Sequence, residues 1–361
     1  MSNAPVMTIG AVALHRVEEL RIPNRIAYFT SDAELLAANR HWLAPHFLDD
    51  NDRFDLVFQS WIFEIDGRVV LVDPCTGNGR PNPVRFFDNL DVPFIDGLHE
   101  TGFRSEDIDF VVCTHLHHDH CGWNTQLRDG KWVPTFPNAR YVMRQAEYDR
   151  WGPHRGRYPT VDYNEGVFER SVLPVVEAGL ADLVSGSHRL TPGLVLESAP
   201  GHTLGHQMLH LVSSAQHALF TGDCFHHPIQ LVKPSIPFGD SDDMDQTIAT
   251  RVRLVKLAAD LGALLVAAHL PAPYAVRAWR EGDEMRLAAA GAIRDADEHD
   301  AVVLAQPLCN SHAQTAGTDH HCDRQIGAMT EWWRWPKGRG RVHGRFSHLE
   351  DSRVSGVPQL F

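Results

Sequence analysis

Thr114-His115-Leu116-His117-His118-Asp119-His120 is the stretch that decides how this chain is read. It packs four histidines and one aspartate into six consecutive residues. Directly before it stands Ile108-Asp109-Phe110-Val111-Val112-Cys113, a β-branched apolar run that predicts a buried strand. The polar residues therefore fall on a loop leaving the carboxyl end of a strand, where α/β folds place their chemistry. Neutral imidazole nitrogens and a carboxylate oxygen suit zinc-type ions of borderline softness. His115 and His117 stand two apart, so extended backbone aims both the same way. Asp119 and His120 lie beyond the turn and can reach a second ion. A merely histidine-rich surface loop is the competing reading in a chain with 23 histidines. The placement directly after a strand weighs against it.

Three later stretches end in the same residue types. Ser198-Ala199-Pro200-Gly201-His202-Thr203-Leu204-Gly205-His206 offers His202 after the strand-like run Leu194 to Ser198. Ala218-Leu219-Phe220-Thr221-Gly222-Asp223 ends in Asp223, and Leu264-Leu265-Val266-Ala267-Ala268-His269 ends in His269. The spacing His-x-His-x-Asp-His, followed in order by these three, resembles the signature of the metallo-β-lactamase fold superfamily over roughly residues 7–287. The resemblance implies an α/β fold, a four-layer αββα sandwich. It implies a hydrolase domain over residues 1–287 and an extension over 288–361 that has no counterpart in the family pattern.

The resemblance also implies a ligand set. His115, His117 and His202 would hold one metal ion, Asp119, His120 and His269 a second, and Asp223 would bridge them. Seven ligands are too many for one tetrahedral ion but suit two ions with open positions. Two divalent ions, with zinc as the default and manganese, iron or cobalt as alternatives, would share a hydroxide able to attack at neutral pH. Asp119 would be catalytic, orienting that hydroxide or carrying its proton. Asp73, on the polar loop Asp73 to Gly79, would orient a histidine through its other ring nitrogen. Acyl-homoserine lactonases of the superfamily carry a tyrosine three residues past the bridging Asp, whereas this chain has His226. His226 could donate a hydrogen bond to a carbonyl or leaving group, or serve the structure.

The expected reaction is hydrolysis of a lactone or carboxylic ester, with phosphotriester or β-lactam hydrolysis as alternatives on the same site. No Gly-x-Ser-x-Gly elbow offers a rival nucleophile. A redox member of the fold would carry a carboxylate at the position of His117, and a degenerate binding protein would have lost ligands.

Composition narrows the partners. Lys and Arg number 33 against 46 Asp and Glu, a net charge of −13. That argues against nucleic acid and against anionic membranes, and leaves a small-molecule substrate. The start of the chain shows no basic segment followed by an apolar one, and no run is long enough for a membrane helix. The six cysteines have no C-x-x-C spacing, and a cytoplasmic setting is expected. Oligomeric state has no sequence signature here.

Several local expectations can be checked. Ser31-Asp32 should cap a helix over 32–48, residues 84–100 should form a helix, and Ala288 to Asp297 another. Asp66-Gly67 should make a two-residue hairpin. Trp123 is a core anchor or a pocket wall. Residues 152–178 are a lid or a surface excursion, and 58–61, 123, 151–170 and 226–230 are the expected pocket walls. The tail, with His320-His321-Cys322-Asp323 and the basic run Lys337 to Arg345, reads as disordered or loosely docked.

Overall fold

A computed structural model describes residues 5–152, 162–239, 241–291 and 302–304. Alternation sets the opening hairpin: Ile9, Val12, Leu14 and Val17 are all buried, on β1 (Met7–Ile9) and β2 (Val12–Arg25). Asp32 accepts a hydrogen bond from Leu35 N and caps α1 (Ala33–Leu43). β3 (Arg53–Ile65) and β4 (Arg68–Val72) join through Asp66 and Gly67, both at positive φ, as a tight hairpin requires.

The expected helix over 84–100 does not form as one piece. A single turn at Arg85–Phe87 is followed by α2 (Phe94–Glu100), and Phe86 is exposed. Asn89 takes a positive φ of 49° and Pro93 cannot continue a helix, so the apolar spacing is split between two short elements.

The first half continues with β5 (Phe110–Val112), the single turn α3 (His118–Cys121), the hairpin β6 (Thr125–Arg128) and β7 (Lys131–Pro134), then β8 (Arg140–Arg144) and α4 (Gln145–Trp151). α5 (Leu173–Glu177) and β9 (Ala181–Val184) close it. Within 152–178, Val167, Phe168, Val172 and Val175 are buried, so this part packs into the core; 153–161 lie outside the described residues.

The second half runs β10 (His188–Thr191), β11 (Leu194–Ser198), β12 (Gln207–Ser213), β13 (Gln216–Gly222), the short α6 (Ile229–Val232) and α7 (Met244–Leu261). β14 (Leu264–Ala267), β15 (Val276–Glu281), β16 (Glu284–Ala289) and β17 (Val302–Leu304) complete it. Ala288 and Ala289, expected to begin a helix, instead end β16, paired with Arg277 and Val276. Met285, Leu287 and Ala289 alternate inward, and that two-residue period decides for strand. The sheet therefore continues past position 287. Residues 292–301 and 305–361, with the tail motifs, lie outside the described residues.

Two large sheets result, ordered β1-β2-β3-β4-β5-β8-β9 and β10-β11-β12-β13-β14-β15-β16-β17, beside the two-stranded β6-β7. One apolar cluster takes residues from both, including Trp61, Phe63, Val112, Leu196, Phe220 and Val266, and forms the layer between them. A second cluster packs Phe94 and Leu98 of α2 and Val175 of α5 onto the first sheet, and a third packs Trp42 of α1 and Leu254 and Val255 of α7 onto the second. The four layers are helix, sheet, sheet, helix, the αββα sandwich expected. Among the described residues no helix is long and apolar enough to cross a membrane.

Candidate metal centre

Every metal-ligand candidate sits just past the carboxyl end of a strand. His115 and His117 follow β5, and α3 turns Asp119 and His120 back over the same spot. His202 follows β11, Asp223 follows β13 and His269 follows β14. The seven residues assemble into two groups, His115, His117, His202 and Asp223, then Asp119, His120, Asp223 and His269. Asp223 belongs to both.

In the first group His117 Nδ1 lies 2.9 Å from His115 Nε2 and 3.0 Å from His202 Nε2. His202 Nε2 is 3.4 Å from Asp223 Oδ2. In the second, His269 Nε2 is 3.1 Å from Asp223 Oδ1 and 3.5 Å from Asp119 Oδ2, and His120 Nε2 is 3.3 Å from Asp223 Oδ2. His120 Nε2 and Asp223 Oδ1 are fully buried yet make no hydrogen bond. Buried polar atoms are almost always satisfied, so atoms this close and unaligned fit a shared cation. The nitrogen and carboxylate set suits a divalent transition ion.

Neighbouring groups hold the rings. Thr114 Oγ1 donates to Asp73 Oδ2 at 2.8 Å and lies 3.1 Å from His115 Nδ1, which turns His115 Nε2 inward. Asp73 Oδ1 accepts from Thr114 N, and Asp73 Oδ2 also lies 3.1 Å from His120 Nδ1. Asp73 thus lies directly beside His120 and reaches His115 only through Thr114. His269 Nδ1 faces Val57 O at 3.2 Å, while Gln59 Nε2 donates to Ala268 O and Leu270 O on either side of that ring. Val57 and Gln59 thus hold the loop of His269, with Phe58 packed against its ring.

Burial pushes His115, His117 and His202 well below the usual histidine range, which keeps the imidazoles neutral and able to ligate. His120 goes the other way: burial opposes its charge, but the carboxylates of Asp223, Asp119 and Asp73 together raise it. Burial also opposes the charge of Asp223, yet His120, His269 and His226 draw its carboxyl well below the usual range.

His226 Nε2 lies 3.1 Å from Asp223 Oδ2, and its Nδ1 is buried without a partner. Aromatic rings surround the centre: Phe58 against His269, Phe87 against His118, Phe238 against His226, and Trp151 and Tyr163 against His117. Trp123 stands away from these, stacked on Phe94 with centroids 5.0 Å apart, as a core anchor. Gly122 explains how the loops close up: a Cβ there would meet Thr76 O at 1.7 Å.

The sequence pattern of the Metallo-beta-lactamase superfamily matches residues 57–269, more than half of the chain. The chain belongs to this superfamily. An N-acyl homoserine lactonase of Bacillus sp is 28% identical over 177 residues, 45% of this chain and 61% of that protein. The N-acyl homoserine lactonase AttM of Rhizobium johnstonii is 27% identical over 185 residues, 50% of this chain and 65% of its own length. This chain thus spans less than two thirds of those relatives. The solved structure of hydrolase AbOPH of the beta lactamase superfamily aligns with a TM-score of 0.61 at 20% identity, covering 76% of this chain and 92% of that one. AidC, a dizinc quorum-quenching lactonase solved with the product N-hexanoyl-L-homoserine, aligns at 0.57 and 19% identity, covering 77% and 94%.

Two buried carboxylates of this superfamily member escaped the sequence reading. Glu19 accepts from Thr76 N, Gly77 N and Trp123 Nε1 and secures the loop that carries Asp73. A register shift between Glu18 and Leu20 turns it inward, and the break in alternation after Val17 was its only trace. Glu147 sits in α4 with the pattern of a surface residue and left no trace at all.

Proposed function

We propose that this chain is a metal-dependent hydrolase that opens a lactone or carboxylic ester, using two divalent ions, zinc by default. His115, His117 and His202 would hold one ion, Asp119, His120 and His269 the other, with Asp223 shared. The observation that carries this is the pair of four-membered groups meeting at one buried aspartate. Bound ions would supply a hydroxide nucleophile at neutral pH and polarise the substrate carbonyl.

The residues around the centre have separable roles. Asp119 is the most exposed of the seven candidates, its side chain 13% accessible, so it is the carboxylate that meets substrate and attacking water. It orients that water and takes its proton. His226 presents Nε2 to Asp223 Oδ2, and burial pushes its pKa down, so a neutral ring donating there braces Asp223. Nδ1 is then left as an acceptor, which favours bracing over donation to a leaving group. The aromatic ring of Phe58, Phe87, Trp151, Tyr163 and Phe238 suits a substrate with an apolar substituent. The lactonases among the relatives support the same substrate class.

All seven ligand candidates lie within 1–287. A reducing, cytoplasmic setting is part of this reading and is supported by Cys75, Cys113, Cys121 and Cys224, all free and buried. So is a small-molecule substrate, with no nucleic-acid or membrane partner.

The test is metal analysis alongside turnover of lactones, aryl esters, a cephalosporin and a phosphotriester. Near two ions per chain with lactone or ester turnover supports the proposal. Dominant phosphotriester or cephalosporin turnover would move the substrate class. A folded protein that takes up no metal after supplementation would overturn it.

A further inference from the structure

Glu147 is fully buried and lies outside every motif of the sequence. Its carboxylate accepts hydrogen bonds from three separate places. Oε2 takes Leu116 N at 2.9 Å and Trp151 Nε1 at 3.0 Å, and Oε1 takes Gly205 N at 2.9 Å. Leu116 sits between His115 and His117. Gly205 follows His202 on the loop from the other sheet. One carboxylate therefore ties the two loops that supply all three imidazoles of the first group. The Trp151 ring, held by the same carboxylate, packs edge-on against His117 with centroids 5.3 Å apart.

The fit is close. A Cβ at position 205 would lie 2.5 Å from Glu147 N and 2.7 Å from its Oε1, so a glycine there is what lets the carboxylate in. These three partners are N–H groups, and the Thr203 hydroxyl acts on the same carboxylate. An ionised carboxylate offers acceptors only, whereas a glutamine would turn an NH₂ toward one of them. Burial raises the Glu147 carboxyl, and the Thr203 hydroxyl, Leu116 N and Trp151 Nε1 pull it back.

We propose that Glu147 is a positioning residue for the first metal site: it fixes the spacing of His115 and His117 against His202 and so sets the affinity for one of the two ions. This rests on the reading of the two groups as metal sites. Glu147 touches neither substrate nor ion. It acts through the backbone of the loops.

The test uses the full chain stripped of metal and titrated with cobalt(II) against a chelator, read by visible absorption. The three-imidazole and two-imidazole sites give different spectra, and His202→Ala identifies the first. Glu147→Gln should weaken the first site by about tenfold or more, the lower end of what a lost ligand-orienting group costs, and leave the second within about twofold. Glu147→Asp should recover part of the loss. A lower melting temperature with both affinities unchanged would overturn the proposal, as would equal weakening of both sites. If Glu147→Gln does not fold, Trp151→Phe removes one donor while keeping the ring on His117. It should weaken the same site about two- to fivefold, within the worth of one hydrogen bond, and no change would count against the proposal. Wild-type protein that binds no cobalt would defeat the metal reading itself, an outcome distinct from the others.

Discussion

The two halves of the centre share Asp223 and differ in almost everything else. The first group sets three imidazoles around that carboxylate, all deeply buried and braced by Thr114 and Glu147. The second sets two imidazoles and adds a second carboxylate, Asp119, on the open side. With neutral rings the first group carries one negative charge and the second two. The first should therefore prefer the softer borderline ions, and the second should tolerate harder ones. A shared ligand does not make equivalent sites. The backbone that supplies the remaining ligands sets each site's character.

The widest effect should come from removing what the groups share. Asp223→Ala should lose both ions and lower kcat/KM by about three orders of magnitude, roughly 4 kcal/mol of transition-state stabilisation. Metal analysis beside turnover measures it, and retention of both ions would break the idea of a common ligand.

His202→Ala and His269→Ala separate the groups. Each should lose one ion and keep the other, with kcat/KM falling about a hundredfold, near 2.7 kcal/mol. Zinc and manganese titrations of the two variants should then give opposite preferences. Loss of both ions in each variant would show a centre that fills only as a unit.

Asp73→Asn should be milder and should act on both groups, because Asp73 reaches His115 through Thr114 and lies beside His120. Metal affinity should drop roughly ten- to hundredfold at each site. A drop confined to one would place the brace on that side alone.

The smallest effect on the centre should come from His227, a buried histidine outside both groups. Its Nε2 faces Phe47 O at 2.8 Å and its Nδ1 accepts from Ile229 N at 3.1 Å, an arrangement that needs a neutral ring. Burial lowers its pKa to about 4. Above the unfolded value near 6.5 neither state binds a proton there. As pH falls from about 6.5 toward 4 only the unfolded chain does, so stability declines across that window. The loss should be about 2 kcal/mol between pH 7 and pH 5. Denaturant titrations of wild type and His227→Gln should show it as a shallower acid slope in the variant, with metal affinity at pH 7 unchanged.

Much of this centre was readable because its ligands occupy strand ends, and strands that run from apolar residues into Gly-Asp or Ala-His announce themselves. His115, His117, Asp119, His120, His202, Asp223 and His269 come together as their order along the chain implied. Carboxylates turned inward were not readable. Glu19 and Glu147 look like surface residues of a strand and a helix, and only tertiary packing shows that each caps several backbone N–H groups. The split at Pro93 shows the opposite failure, since Phe86, Phe87, Leu90, Phe94 and Leu98 keep a helical spacing that the backbone between them does not follow. At 288–289 a short apolar run fitted either period, and pairing with β15 decided it.

The chain lays down one sheet completely, through Val184, before starting the other at His188. Four of the seven ligand candidates precede that seam and three follow it. During synthesis, then, the first-made half emerges with His115 and His117 but neither His202 nor Asp223, and at about 5–20 residues per second it waits seconds for them. Full coordination would then be a late event in the life of the polypeptide, and an ion held there would report that both halves have been made and have met.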